Sequence, residues 1–127
     1  MNSIVHFELP AKNVKEAQKF YTDVFGWKFM DFPEMNYSIT YTSEVDENHM
    51  PKTAGAVNGG MLTDKDNGGL NPVLVIDVPS VEDFCKKIEA AGGTITVPVR
   101  KVGDMGLYAK FTDPSGVVMG VWQSNKA

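Results

Sequence analysis

Cysteine is all but missing from this 127-residue chain, with Cys85 the only one. A lone thiol permits no intrachain disulfide and no thiolate cluster for zinc or iron–sulfur chemistry. Cys85 falls within the apolar pattern of a predicted helix, so its expected role is that of a small buried hydrophobe. Histidine is nearly as scarce, since His6 and His49 are the whole supply. Hydrophobic residues make up 43% of the chain, yet they are spread out. No run approaches the roughly 20 apolar residues that a bilayer span needs, which excludes a helical membrane protein. Basic clusters are also lacking. The 12 Lys and Arg are scattered among 16 Asp and Glu for a net charge of −4, so nucleic acid and anionic membrane surfaces are poor partners. The opening Met1-Asn2-Ser3-Ile4-Val5-His6 has no basic stretch followed by an apolar block. That argues against a signal peptide and makes the expected location cytoplasmic. No glycine-rich turn between strand and helix carries Lys with Ser or Thr, so a phosphate loop is not indicated. No serine sits in a strand-to-helix elbow, so a nucleophile triad is unsupported.

What the chain does contain is a pattern stated twice. From Asn13 to Val24 the residues Val14, Ala17, Phe20, Tyr21 and Val24 recur at helical spacing, with charged residues largely on the other side. Asn13 with Glu16 three residues later marks the start, and Gly26 marks the stop. Ser80 and Asp83 open a second such segment, carrying Val81, Phe84, Ile88 and Ala91 and ending at Gly92-Gly93. The two cap residues lie 67 positions apart. A strand-like run precedes each helix, over 4–9 and 73–78. Two alternating or β-branched segments follow each one, over 27–32 and 37–42 in the first half and 94–99 and 107–112 in the second. A last strand closes each half, over 54–62 and 117–123, the second entered through the turn Asp113-Pro114-Ser115-Gly116. The order is thus strand, helix, three strands, repeated. Residues 64–71 read as a linker, 43–53 as a polar loop, and 124–127 as a polar tail that frays. The expected organisation is a single domain over 1–127, with module one about 1–63 and module two about 72–123.

The opening His6-Phe7-Glu8-Leu9-Pro10, followed by Val14 to Tyr21 and Phe25-Gly26-Trp27, resembles the first module of vicinal-oxygen-chelate proteins. These form the glyoxalase, bleomycin-resistance and dioxygenase superfamily. The segment Gly106 to Gly116 leading into Val121-Trp122-Gln123 resembles their last hairpin. The resemblance implies an α+β fold in which two βαβββ modules form a cupped eight-stranded mixed sheet, with helices on the outside and a ligand cleft inside. It also implies that metal-using members carry ligands on the first and last strand of each module. His6 matches the first ligand position. The others fall on Val73 or Leu74, on Gly60 and on Gly120, none of which has a donor side chain.

Divalent-metal catalysis needs several converging N or O donors, typically three from the protein. His49 lies in a polar loop, which leaves His6 alone. No cofactor is therefore expected. In the first strand Val5, Phe7 and Leu9 alternate with His6 and Glu8, so the polar pair shares one face with Cα atoms about 6.6 Å apart. His6 and Glu8 are the candidate catalytic residues. In the second half Tyr108 and Lys110 share a face, and Trp122 offers a flat surface beside the room left by Gly120. His6, Glu8, Tyr108, Lys110 and Trp122 are the candidate ligand-binding set. The expected function is that of a small-molecule-binding or cryptic enzymatic member of the superfamily with a metal-free cleft. Two alternatives stay open. One is a metal-dependent lyase, dioxygenase or thiol transferase that uses His6 as a ligand of a divalent metal. The other is a resistance protein that sequesters a drug. A homodimer is expected, because an eight-stranded sheet leaves edges that need cover.

Overall fold

The computed structural model describes residues 1–125. Lys126 and Ala127, the end of the expected fraying tail, lie outside the described residues. The chain runs β1 (Ile4–Ala11), α1 (Val14–Phe25), β2 (Lys28–Phe32), a 3-10 turn (Pro33–Met35), β3 (Tyr37–Tyr41), β4 (Gly59–Thr63), α2 (Asp64–Asn67), β5 (Val73–Asp77), α3 (Val81–Ala90), β6 (Thr94–Val102), β7 (Gly106–Thr112) and β8 (Val118–Ser124). This is an α+β fold with an eight-stranded mixed sheet, ordered β2-β3-β4-β1-β5-β8-β7-β6 and not closed. β4 runs parallel to β1 and β8 parallel to β5, while β2–β3, β3–β4, β6–β7 and β7–β8 are antiparallel. No helix among the described residues is long and apolar enough to cross a membrane.

The chain divides into two compact units, residues 6–72 and residues 1–5 with 73–127. The first residues of the chain therefore group with the second half. The backbone N–H of Asp77 donates to Ser3 O at 2.8 Å, and Asn2 Nδ2 donates to Asp77 O.

In the unit 6–72, α1 starts where its local chemistry says it should. Asn13 Oδ1 accepts from the Glu16 N–H at 3.0 Å, an N-cap worth about 1 kcal/mol. At the other end Gly26 takes the left-handed conformation (φ 73°), its N–H bonding Thr22 O while Trp27 N–H bonds Tyr21 O. α1 buries no residue completely. It is tied to β2 and β3 by polar contacts, in which the Asp31 carboxylate accepts from Lys15 Nζ (2.5 Å), Gln18 Nε2 (2.9 Å) and Ser38 Oγ (2.8 Å). Tyr21 also stacks on Trp27 with centroids 4.7 Å apart.

β4 begins at Gly59, well after the expected Ala54. Asn58 explains the delay, because its Oδ1 accepts from the N–H groups of Thr42 and Ser43 while Thr42 Oγ1 donates to Val57 O. Side-chain bonds thus replace the strand ladder at that end. The expected linker contains the one-turn α2, capped by Thr63 Oγ1 on Asp66 N–H and stopped by Gly68 at φ 83°. The polar loop 43–53 is pinned by Asp46 Oδ1, which accepts from Asn48 and Met50 N–H, and by a Val45–Pro51 bridge.

In the other unit, α3 is capped by Ser80 Oγ on Asp83 N–H and buries Val81 and Cys85 against Val78, Ala109 and Val121. Cys85 is a buried core thiol, as expected. β6 runs three residues beyond its expected end, and its register against β7 shifts on both sides of Val97. Pro98 falls inside that irregular stretch on an edge strand, where a missing N–H is tolerated.

The hydrogen bonds from Lys15, Gln18 and Ser38 pull the Asp31 carboxyl down to about 2 from an ordinary 3.8. A depressed folded-state pKa means the contribution is present above pH 3.8 and fades as pH falls toward 2. Asp31→Asn should therefore flatten the acid side of the stability curve in that window and lower stability slightly at neutral pH. Urea midpoints measured from pH 2 to 7 for both proteins check this, and parallel curves would contradict it.

Candidate functional site

In the unit 6–72, the register places Glu8 opposite Gly60 across β1 and β4, and Gly60 opposite Ile39 across β4 and β3. These three positions form one row on one face of the sheet. His6 lies two residues before Glu8 and Tyr37 two before Ile39, so both share that face. The structure joins them directly, with His6 Nε2 and Tyr37 Oη 2.7 Å apart in a partly buried hydrogen bond. β4 runs between the strands that carry them. The bond passes over it at Gly60, where an added Cβ would strike the Tyr37 hydroxyl and ring. Glu8, also buried, stands on the same face.

Burial pushes the His6 pKa below its ordinary 6.5, partly offset by the Glu8 charge, so the imidazole is neutral at neutral pH. Burial, and then Glu8, push the Tyr37 phenol far up, so it keeps its proton. The pair is thus a neutral donor and acceptor. Tyr37 was not among the residues expected at the site. A Tyr opening a strand is an ordinary strand residue, and only the register of β3 against β4 brings it to a position 31 residues earlier.

In the other unit, Tyr108 and Trp122 face each other across β7 and β8, and Lys110 faces Gly120. The expected grouping of these side chains on one face is therefore present. One detail differs from expectation. Gly120 does not leave open room, because a Cβ there would come within 2.8 Å of Tyr108 Oη. Lys110 is buried on an inner strand. Arg100, opposite Tyr108 on β6, also lies over its ring at 5.6 Å, a contact that the irregular β6 register hides from sequence reasoning. Trp122 lies along the backbone at Gly106, where a Cβ would meet its ring at 2.9 Å. His49 sits exposed in the polar loop, with φ 62°.

The model of the Glyoxalase/Bleomycin resistance protein/Dioxygenase superfamily matches residues 3–121. The chain belongs to that superfamily. A Mycobacterium tuberculosis protein named "Putative glyoxylase CFP32" is 30% identical over 126 residues, covering 94% of this chain and 44% of that protein. The chain thus spans less than half the length of that relative. The "Probable lactoylglutathione lyase" of Vibrio parahaemolyticus is 27% identical, covering 98% of this chain and 92% of its own. Among solved structures, a variant of Streptomyces coelicolor methylmalonyl-CoA epimerase superposes with a TM-score of 0.68 at 14% identity, covering 100% of this chain and 97% of that one. At such identity the superposition speaks for the fold alone.

For a superfamily member the donor set is thin. Among the described residues no group of three or more His, Cys, Asp or Glu side chains is placed to hold a metal ion. The positions that the superfamily resemblance assigns to further ligands are Val73, which is buried, Leu74, which is exposed, and the glycines 60 and 120, both covered by tyrosine. The residues present do not fit a divalent ion.

Gly60→Ala should cost about 1–3 kcal/mol, since the new methyl overpacks against the Tyr37 ring. Chemical denaturation of Gly60→Ala, Tyr37→Ala and the double variant measures the coupling. The Gly60→Ala penalty should shrink once the ring is gone. An equal penalty in both backgrounds would show that the phenol is not what fills the space.

Proposed function

We propose that the chain binds a small molecule through the face bearing His6, Tyr37 and Glu8, without a metal ion, either capturing the molecule or acting on it. The observation that carries this reading is the His6–Tyr37 hydrogen bond over Gly60. It engages the one histidine at a ligand position and leaves a neutral polar pair in a partly buried setting. Such a pair offers a bound oxygen a hydrogen bond worth more than it would be in water. In a reactive complex Glu8 is a candidate for acid–base work, and the imidazole becomes a proton acceptor only where the ligand takes the place of the Tyr37 hydroxyl at Nε2. Tyr108, Lys110 and Trp122 are the proposed ligand-binding residues of the second module, combining a phenol, a cation and an indole surface.

The metal-dependent lyase keeps one specific observation in its favour, the relative named as a lactoylglutathione lyase that aligns over almost its full length. Native mass spectrometry and elemental analysis of untagged protein separate the readings. The expected result is a retained small molecule with no stoichiometric zinc, iron, manganese or nickel, and retention impaired in His6→Ala. One equivalent of metal, lost in His6→Ala, would overturn the reading in favour of the metal enzyme. Turnover of the retained molecule distinguishes an enzyme from a drug-sequestering protein. His6→Ala should also lower stability by about 1–3 kcal/mol, because it strands the Tyr37 hydroxyl.

Homodimer formation belongs to the same reading. It is supported by the two sheet edges at β2 and β6 and by the exposed Phe20, Val24 and Phe25 on α1. Sedimentation equilibrium should give twice the chain mass at micromolar concentration, and a monomer mass there would count against it.

A further inference from the structure

A tyrosine laid over a glycine occurs twice in this chain, once in each module and at the same diagonal of the sheet. In the first module Gly60 of β4 faces Ile39 of β3, and the tyrosine is Tyr37, two residues earlier on β3. In the second, Gly120 of β8 faces Lys110 of β7, and the tyrosine is Tyr108, two residues earlier on β7. In both cases the phenol oxygen is the atom nearest to where a glycine Cβ would stand. Gly60 and Gly120 are also the closing-strand positions at which the superfamily resemblance puts metal-ligating side chains. An oxygen group from the neighbouring strand thus takes the place of a ligand at both positions.

We propose that Tyr37 and Tyr108 are the internal replacements of the closing-strand ligands, and that Tyr37 in addition donates its phenol proton to His6 Nε2 and so withholds that lone pair from any cation. The proposal rests on the metal-free reading above and names the groups that enforce it. An imidazole nitrogen is a strong acceptor and a phenol oxygen a weak one, so the shared proton belongs on Tyr37 and the imidazole proton on Nδ1. A cation seeking Nε2 would have to break this partly buried bond and leave the hydroxyl unpaired, in return for a single protein ligand. A carboxylate placed at Gly60 or Gly120 would not restore a site either, because the phenol already fills the volume.

Long-range proton–nitrogen NMR of the labelled full chain tests this, with His49→Gln used to assign the two imidazoles. In the wild type His6 should be the Nδ1–H tautomer with a hydrogen-bonded Nε2, and an equimolar addition of zinc chloride should leave both nitrogen signals in place. In Tyr37→Phe, which keeps the ring over Gly60, the Nε2 signal should move toward that of a nitrogen without a hydrogen bond and should respond to zinc. Gly60→Ala, which displaces the ring, should show the same change by a different route. A proton on Nε2 in the wild type, an Nε2 signal unmoved in Tyr37→Phe, or stoichiometric zinc capture at His6 in the wild type would each overturn the proposal. Native mass spectra of the same samples keep the two readings apart. A wild type with the expected nitrogen pattern that retains no small molecule supports the closure by Tyr37 and counts against the binding function.

Discussion

A missing methyl group at Gly60 governs the site of the first module. His6 is on β1 and Tyr37 on β3, with β4 between them. Strands in a sheet lie about 4.8 Å apart, so these two backbones are separated by roughly twice that distance. Only a long side chain reaching across the middle strand can close the gap, and only if that strand presents no side chain at the crossing point. Gly60 supplies that opening and Tyr37 the reach, and the 2.7 Å contact with His6 follows. The neighbouring glycine has a different task on the opposite face. A Cβ at Gly59 would meet the Phe7 carbonyl oxygen and, at 2.7 Å, the Phe7 ring, so this glycine lets both the backbone and the ring of Phe7 lie close to β4, with the ring tilted against Trp27. Two adjacent glycines thus shape both sides of one strand, one toward polar chemistry and the other toward the aromatic layer under α1.

The features that could be read from the sequence were those settled by residues close together along it. Asn13 with Glu16 and Ser80 with Asp83 specify their helix starts within three residues, and both caps form as read. The alternation of His6 and Glu8 with Phe7 and Leu9 likewise fixes which side chains share a face. What could not be read depended on register between strands far apart in the chain. Tyr37 meets His6 only because β3 pairs with β4 at one particular offset, and a shift of one residue would turn it to the other face. The room expected at Gly120 vanished for the same reason, since nothing local to Gly120 announces Tyr108. The late start of β4 came from Asn58 capturing backbone donors of the preceding strand's end, a competition between side chain and ladder that a β-propensity pattern does not register.

The two modules share an order of elements and a Tyr–Gly diagonal but hold their helices differently. α3 buries Val81 and Cys85 against Ala109 and Val121, so its attachment is mainly apolar. α1 buries nothing completely and relies on the Asp31–Gln18–Ser38 cluster and on the stack of Tyr21 with Trp27. Hydrogen bonds of that kind hold direction well but add little net stability in contact with water. The consequence is an apolar stripe of Phe20, Val24 and Phe25 left exposed on α1, whereas the equivalent stripe on α3 is spent on its own core.

Superfamily membership leaves the reaction open. Relatives of similar likeness carry the names of a glyoxylase and a lactoylglutathione lyase, and an epimerase shares the fold. A shared fold does not name a reaction, because function is carried by the particular side chains of a site. In this chain the supply of such groups is small. Of two histidines one is on an exposed loop, and the other is engaged by a phenol. A metal stabilises developing negative charge by its own charge, whereas a neutral imidazole and a protonated phenol do so only through aimed hydrogen bonds in a dry setting. Under the reading proposed here, selectivity then comes from the geometry of aimed hydrogen bonds together with the neighbouring Glu8 carboxyl. A ligand must bring an oxygen to the His6–Tyr37 pair and must do so beside the Glu8 carboxyl, which disfavours an anionic group at that point and favours a carbonyl or hydroxyl.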